Sequence, residues 1–465
     1  MNKKLNITLI VTIFIFVLSA SARAETFYAY LNSAQEVPAN ASTATGFARV
    51  FVNEAAGTLS FTVTFTGLSS TQTASHIHAP GAIGVSAPVV INFGAVGGTA
   101  GTITGTAAIT PTQLSQIRAH TGYVNVHSTN FPGGEIRGQL GIKRPVDFDG
   151  DGRQDFSILR FPAGPPSPIT YWNRNSTTGA QIIGTFGDAQ TDFPVPGDYD
   201  GDGKDDLALY RVGATAGAFS NFYVLRSSDS TTQTIQFGLN GDQAICRDYD
   251  GDGKTDLAIY RRGVNPNDQS FWWIRRSTIG ITVAGQDLVI PFGLTGDVAG
   301  GTSGDVPIPG DYDGDGKFDL AVYRFGAFAT PDNSFIVRRS SDGAVTYQQF
   351  GNFNTDFIVP CDYDGDGKFD YAVARVGATA AVPMVWWILQ SSTGTTRTQT
   401  WGISSDLPVQ GDYDGDARTD IAIYRNGATA GAQSNFWVLR SFDNTAQVTP
   451  WGVMGDFPTA TFDAR

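Results

Sequence analysis

The strongest constraint on this chain is a nine-residue acidic motif, Asp-aromatic-Asp-Gly-Asp-Gly/Ala-x-x-Asp, which begins six times, at Asp147, Asp198, Asp248, Asp311, Asp362 and Asp412. The starts lie 51, 50, 63, 51 and 50 residues apart, the longer gap reflecting an insertion around residues 280–304. A period near fifty marks an array of like units, each burying its apolar face against its neighbours. Every unit has the same order. An apolar run follows the loop (FSILR, LALYR, LAIYR, LAVYR, YAVAR, IAIYR), then a second (YWNRNS, NFYVLRS, FWWIRRS, SFIVRRS, VWWILQS, NFWVLRS). A third ends in Phe-Gly or Trp-Gly, at Gly187, Gly238, Gly293, Gly351, Gly402 and Gly452, and a fourth such as FPVPG enters the next loop. Short runs rich in Val, Ile, Tyr and Trp are strands, and four strands per unit predict one propeller blade. The first unit lacks a fourth strand before its loop, while the last supplies one, DFPTATFD at 456–463, with no loop after it. Six blades closed by that strand are expected, which removes exposed sheet edges; a seven-bladed ring or an open array are the alternatives.

Four carboxylates within nine residues repel one another in a folded loop unless a cation stands between them. A hard ion such as calcium takes six to eight oxygens at roughly 2.3–2.6 Å, and side chains at positions 1, 3, 5 and 9 of a tight loop can converge on one point. The expected calcium ligands are Asp147, Asp149, Asp151 and Asp155; Asp198, Asp200, Asp202 and Asp206; Asp248, Asp250, Asp252 and Asp256; Asp311, Asp313, Asp315 and Asp319; Asp362, Asp364, Asp366 and Asp370; and Asp412, Asp414, Asp416 and Asp420. The Lys204 carbonyl at position 7 would add an oxygen in the second copy. About six calcium ions are expected, one per loop. Glycine at position 6 permits the turn, and Ala417 stands there in the sixth copy, which predicts a strained loop or a weaker site. The motif is like the start of an EF-hand, but Leu209 occupies position 12 of the second copy in place of a bidentate Glu, and strands follow instead of helices. Six merely solvated turns would leave the alignment of four carboxylates per copy without a reason.

Residues 1–24 read as a cleaved leader: Lys3 and Lys4, an apolar stretch to Leu18, then Ala22-Arg23-Ala24. No later segment is long and apolar enough to span a bilayer, so an exported chain without a membrane span is expected, periplasmic, cell-surface or extracellular. Loss of Lys3, Lys4 and Arg23 deepens the formal charge from −13 to −16, and six divalent ions would bring it to −4. The acidity is thus explained by metal sites, and no basic patch offers a nucleic acid a footing. Two cysteines, Cys246 and Cys361, could pair in an exported protein, but their like positions two units apart favour buried thiols.

Residues 25–141 lack the acidic loop and alternate as strands: TFYAYL, GFARVFV, TLSFTVTF, PVVINF, TITGTAAI, YVNVHS and EIRGQL. Seven such strands predict a β-sandwich, joined by a short linker at 142–146 to the propeller at 147–465. This unit holds all four histidines. His76 and His78 would project from one face of a strand, and His127 with Glu135 could join them as ligands for zinc or copper. The structural alternative is that these rings order a loop edge through backbone hydrogen bonds. A two-metal dismutase-type site would need six histidines, and His120 completes a set of only four.

Two resemblances follow from these residues. The segment SHIHAPG at 75–81 with YVNVHSTNFPGGEIRGQL at 123–140 resembles the chordin-type CHRD domain, which implies an extracytoplasmic setting. The acidic loops with their Phe-Gly pairs resemble the FG-GAP or VCBS repeats of integrin-type propellers, which implies calcium held in blade loops and a role in adhesion, ligand recognition or scaffolding. No Ser or Cys nucleophile arrangement is visible, so a non-enzymatic, monomeric calcium-binding protein with an extracellular protein or glycan ligand is expected. The rivals are a metalloenzyme built on the His cluster and a calcium-dependent lectin. Paired aromatics at Trp272-Trp273, Trp386-Trp387 and Phe436-Trp437 suggest sugar stacking. Neighbours on a strand face opposite ways, however, so one of each pair should pack between blades. The Arg closing each first run (Arg160, Arg211, Arg261, Arg324, Arg375, Arg425) is expected to lock blades through carboxylates or carbonyls.

Overall fold

In strand β3 (Thr58–Thr66) Leu59, Phe61, Val63 and Phe65 are buried, with serine and threonines between them facing outward, and this alternation builds the N-terminal unit. The structure is a computed structural model describing residues 24–460, apart from 55, 82–83, 119–120, 142–145, 151, 162–166, 177, 252, 266, 297–303, 326–332 and 353–354. The leader up to residue 23, His120, Asp151 and Asp252 therefore lie outside the described residues, as does most of the linker.

The other elements of this unit are β1 (Ala24–Asn32), β2 (Thr45–Asn53), β4 (Gln72–His78), β5 (Val89–Asn92), β6 (Gly101–Ala108), helix α1 (Pro111–Arg118), β7 (Tyr123–Ser128) and β8 (Ile136–Gln139). They form one antiparallel sheet in the order β5-β4-β7-β8-β1-β2-β3-β6. The two layers expected of a sandwich are the halves of this single sheet, which folds over until its ends nearly meet. Phe61 on β3 stacks on Phe93, just past β5, with ring centroids 3.8 Å apart. One core runs through all of it, from Ile91 to Ile103, and includes Leu114 and Ile117 of α1.

The remaining chain is six four-stranded antiparallel sheets, one per repeat. The first blade is β9 (Phe156–Arg160), β10 (Pro168–Arg174) and β11 (Gln181–Asp188), completed by the C-terminal strand Phe457–Pro458, which pairs with β9. The second is β12 (Asp192–Pro194), β13 (Leu207–Arg211), β14 (Phe219–Leu225) and β15 (Thr232–Leu239), and the other four follow it. The short strand before each acidic loop lies at the axis. The loops are joined to one another by backbone hydrogen bonds. The carbonyl of each first Asp accepts from the residue before the last Asp of the next loop: Asp147 from Asp205 N (2.7 Å), Asp198 from Thr255 (2.7 Å), Asp248 from Phe318 (3.0 Å), Asp311 from Phe369 (2.7 Å), Asp362 from Thr419 (2.8 Å). Asp412 accepts from Gln154 N of the first loop (2.8 Å), which closes a ring of six.

A second ring locks the blades. Arg160, Arg211, Arg261, Arg324, Arg375 and Arg425 each pair with a buried carboxylate, Asp456, Asp192, Asp242, Asp305, Asp356 and Asp406 respectively, at 2.5–2.7 Å. The same carboxylates accept from the backbone N–H just after each Phe-Gly or Trp-Gly of the preceding blade, as Asp242 does from Leu239 (2.7 Å) and Asp456 from Val453 (2.7 Å). This explains the glycine of that pair. At Gly238 φ is +92°, and a Cβ would sit 2.6 Å from the Tyr210 hydroxyl and 3.3 Å from Asp242 Oδ2. Several of these guanidinium groups also lie over the second aromatic of a pair, Arg261 on Trp273, Arg375 on Trp387 and Arg425 on Trp437, while Trp272, Trp386 and Phe436 are fully buried in blade cores. Neither cysteine forms a disulfide. Among the described residues no helix is long and apolar enough to cross a membrane.

The N-terminal sheet rests on the loop face of the propeller. Tyr28 donates to the Gly253 carbonyl (3.3 Å), Gln35 Nε2 to Gly415 (2.9 Å) and Arg49 Nη1 to Gly201 (2.8 Å), all carbonyls within acidic loops. A cleft of about 560 Å³ at this seam is lined by Glu36, Arg137, Asp364, Arg418 and Phe442 among others. Burial pushes Glu36 up to about 7 from an ordinary 4.5, against the pull of Arg137.

Asp456→Ala leaves Arg160 and the Val453 amide without their acceptor and should lower stability by about 2 kcal/mol, read as a fall in the urea midpoint. Asp342→Ala, at a carboxylate 52% exposed beside Arg339, should leave that midpoint essentially unchanged. Because Glu36 is raised in the folded state, its contribution is present below pH 4.5 and fades as pH rises through about 7. Glu36→Gln should therefore melt close to the parent at pH 5 and above it at pH 8.

Candidate metal sites

The tight turn of each acidic loop is made by its first carboxylate. In the second loop Asp198 Oδ1 accepts from Gly201 N (2.6 Å) and Oδ2 from Gly203 N (2.9 Å). The last carboxylate ties the loop to the rest of the blade, with Asp206 Oδ2 accepting from Tyr199 N (2.9 Å) and Oδ1 from Ser227 N (2.7 Å) at the turn between β14 and β15. That turn forms the other wall of the cup: Ser228 Oγ donates to Asp200 (2.5 Å) and Ser227 Oγ to Asp202 (2.9 Å). The same contact to the last Asp recurs from the amides of Ser176, Ser277, Ser340, Ser391 and Ser441 at 2.6–2.8 Å. The sequence reading passed over these serines, although each ends the second apolar run of its unit.

Carboxylate oxygens within 4.8 Å of one another come from Asp147, Asp149 and Asp155, from Asp198, Asp200 and Asp206, from Asp248, Asp250 and Asp256, and from Asp311, Asp313 and Asp315. Asp202 is turned instead toward Lys204 N and Ser227, so positions 1, 3 and 9 meet in the first three loops and positions 1, 3 and 5 in the fourth. Asp362 and Asp370 in the fifth loop and Asp412 and Asp420 in the sixth keep the backbone contacts seen in the second, while Asp364, Asp366 and Asp416 accept from residues of the adjoining turn.

Burial dominates the electrostatics of these cups. It raises Asp206 and Asp319 to about 7 and Asp370 to about 8, with neighbouring carboxylates adding to the effect, and it lifts Asp311 and Asp420 well above the carboxylate range. Asp200 goes the other way, because hydrogen bonds from Ser228, Asp202 N and Arg226 outweigh its burial. In the fourth loop Asp313 Oδ1 is buried and accepts no hydrogen bond. Converging oxygens, suppressed ionisation and an orphaned acceptor are what a hard divalent ion would resolve. The residues present fit calcium.

The histidines also converge. His76 and His78 of β4 and His127 of β7 share the outer face of the sheet, opposite Ile77, Val124 and Val126 in the core. His76 Nδ1 lies 3.0 Å from His127 Nε2, and Asn125 Oδ1 lies 3.1 Å from His78 Nε2 and 3.0 Å from His127 Nε2. Burial, then the neighbouring rings, pushes His76 down to about 4, and burial also lowers His127. Glu135, expected to join them, does not. Its carboxylate accepts from Ser42 Oγ (2.6 Å), Ser69 N (2.7 Å) and Ser128 Oγ. Ser128 alternates with His127 along β7, so Glu135 serves the opposite face and orders three segments.

Ala417 adopts φ +67° and donates its amide to Asp412 Oδ2 (2.9 Å), keeping the turn that glycine makes in the other copies. A left-handed non-glycine residue costs roughly 1–2 kcal/mol, partly offset by the greater freedom of an unfolded glycine. Ala417→Gly should therefore raise stability by about 0.5–1 kcal/mol, seen as a higher melting temperature in saturating calcium.

Comparison with known proteins divides the chain at the same place as the structure does. No curated protein matches it in sequence. Among solved structures, an ACO/RPE65 chimera aligns at 13% identity over 73% of this chain and 87% of that one, TM-score 0.35. A mutant of Synechocystis apocarotenoid oxygenase aligns at 12% over 73% and 87%, also 0.35. A putative 6-phosphogluconolactonase from Bacteroides uniformis aligns at 11% over 64% and 84%, again 0.35. Likenesses this distant carry no argument about chemistry. Family models do match: residues 27–140 as a CHRD domain and residues 147–209 as an FG-GAP-like repeat. The chain therefore carries a CHRD domain followed by an FG-GAP-like repeat, the latter lying within the first two of six four-stranded blades.

Proposed function

We propose that this chain is an exported calcium-binding scaffold whose propeller presents a recognition surface for an extracellular partner, with the ions in a structural role and no catalysis of its own. The observation that carries the reading is the ring: the six loops that gather the carboxylates are hydrogen-bonded to one another in a closed circle, and the N-terminal domain stands on three of them. Asp147, Asp198, Asp248, Asp311, Asp362 and Asp412 with their loop partners would hold the ions. Bound calcium supplies positive charge where buried carboxylates oppose one another, and so stiffens the face of the ring. The leader at residues 1–24 and the CHRD match support an extracytoplasmic location. The paired aromatics that a lectin would use for stacking are taken up in blade cores and under arginines, which favours a protein partner over a glycan.

Extracellular calcium modules bind at about 10⁻⁴–10⁻³ M. At 10 mM free calcium, each such site then adds about 1.4–2.7 kcal/mol to stability by mass action. Stripping the protein with EDTA should lower its melting temperature by many degrees, and excess calcium should restore it, with about six ions retained per chain. An unchanged melt in EDTA would refute the structural role. Capture of a protein partner from the native surroundings in calcium, lost in EDTA, would support the recognition role.

A further inference from the structure

The cluster on the outer face of the N-terminal domain has a property that position alone does not explain. His78 Nδ1 lies 2.7 Å from the Ala87 carbonyl and His127 Nδ1 lies 2.9 Å from the Pro132 carbonyl. A carbonyl can only accept, so each ring carries its proton on Nδ1 and turns the lone pair of Nε2 inward. Both lone pairs point toward Asn125 Oδ1, at 3.1 and 3.0 Å, and His127 Nε2 also faces His76 Nδ1 at 3.0 Å. Acceptors that converge in a half-buried pocket need a cation or a donor. An imidazole whose other N–H is fixed by a backbone carbonyl is the usual form of a metal-ligating histidine, because the outer bond sets both tautomer and ring direction.

We propose that His76 Nδ1, His78 Nε2 and His127 Nε2 bind one zinc or copper ion, leaving a fourth position open. The donor set separates this site from the acidic loops. Three neutral imidazoles suit zinc or copper, and hard oxygen-seeking ions such as calcium are poorly served by them. The carboxylate that would harden the site, Glu135, belongs to the other face of β7. His76 remains partly exposed while His78 and His127 are buried, so the ion would be reached from the His76 side, where a water or an external donor can complete its coordination. The site is independent of the calcium reading in its residues: it shares none with the loops, although it lies on the face of the sheet that also carries Tyr28 and Arg49.

The metal-free alternative is specific. If the Asn125 amide is turned, its two N–H groups donate to both Nε2 atoms and no ion is needed. The test uses the full chain in saturating calcium, titrated with zinc by calorimetry and with copper(II) followed by electron paramagnetic resonance. One equivalent of zinc or copper should bind, the copper spectrum should show coupling to three nitrogens, and His76→Ala or His127→Ala should weaken binding at least tenfold. His76→Ala, at the more exposed ring, serves if His127→Ala fails to fold, with melting in calcium as the check. Binding of neither metal, or affinity unchanged in these variants, would overturn the proposal in favour of the amide-bridged cluster. The calcium dependence of the melt is read in the same samples, so either reading can fail without the other.

Discussion

A carboxylate withdrawn from water has to be given donors or a cation, and the architecture of this propeller is largely the record of how its aspartates are supplied. Asp192, Asp242, Asp305, Asp356, Asp406 and Asp456 receive two arginine N–H groups and a backbone amide from the preceding blade. Their charge is met within the protein. The loop aspartates receive backbone amides and serine hydroxyls, with Arg226 beside Asp200, Arg418 beside Asp416 and Arg440 beside Asp414. Amides orient a carboxylate without neutralising it. Burial then raises Asp206, Asp319 and Asp370 far above the ordinary range. One ring of aspartates is matched by arginines, and the other is the one where the proposed calcium ions would sit.

The two rings also act at different places. Each arginine holds its carboxylate within one blade, and that carboxylate reaches back to an amide of the preceding blade; the last pair, Arg160 with Asp456, fixes the strand Phe457–Pro458 to the first blade. The loop ring lies at the other end of the inner strands and carries the N-terminal domain. Because Tyr28, Gln35 and Arg49 donate to loop carbonyls, the seat of that domain depends on backbone conformation, which the loop carboxylates fix through Gly201, Gly203 and their counterparts. Order in the loops and the placement of the N-terminal domain are therefore coupled without any direct ligand shared between them.

Six copies made the propeller legible in the sequence: strand order, blade count, the closing strand and the role of the periodic arginines could all be read from spacing, because errors in one unit are corrected by five others. The N-terminal domain had no such redundancy. Its strands were visible from alternation, but their pairing order was not, so a sheet folded on itself read as two. Helix α1 was missed although Thr110, Pro111 and Gln113 carry a capping box with proline at the first helical position; Gln113 N bonds Thr110 Oγ1 (3.3 Å) and Thr110 N bonds Gln113 Oε1 (2.8 Å). Glu135 was grouped with the histidines because the register that sends it to Ser128 is a property of the folded sheet. Ser227 and its counterparts needed only a closer look at how each second run ends.

On the proposed readings, the chain would separate its metal chemistry by hardness as well as by place. Oxygen donors lie on the turns of the acidic loops, and the imidazoles, two of them held by backbone carbonyls, lie on strands β4 and β7 of the N-terminal sheet. The difference in support matters for affinity. A turn can open by changing a few backbone angles, so calcium in the loops would bind weakly and exchangeably and be reported through backbone order. The histidines are held by β4 and β7, whose backbone groups are paired across the sheet, so their lone pairs keep their directions with or without an ion. Less reorganisation on binding means tighter binding for the same contacts, and that is the physical basis for expecting the imidazole site to retain its ion under conditions that empty the loops.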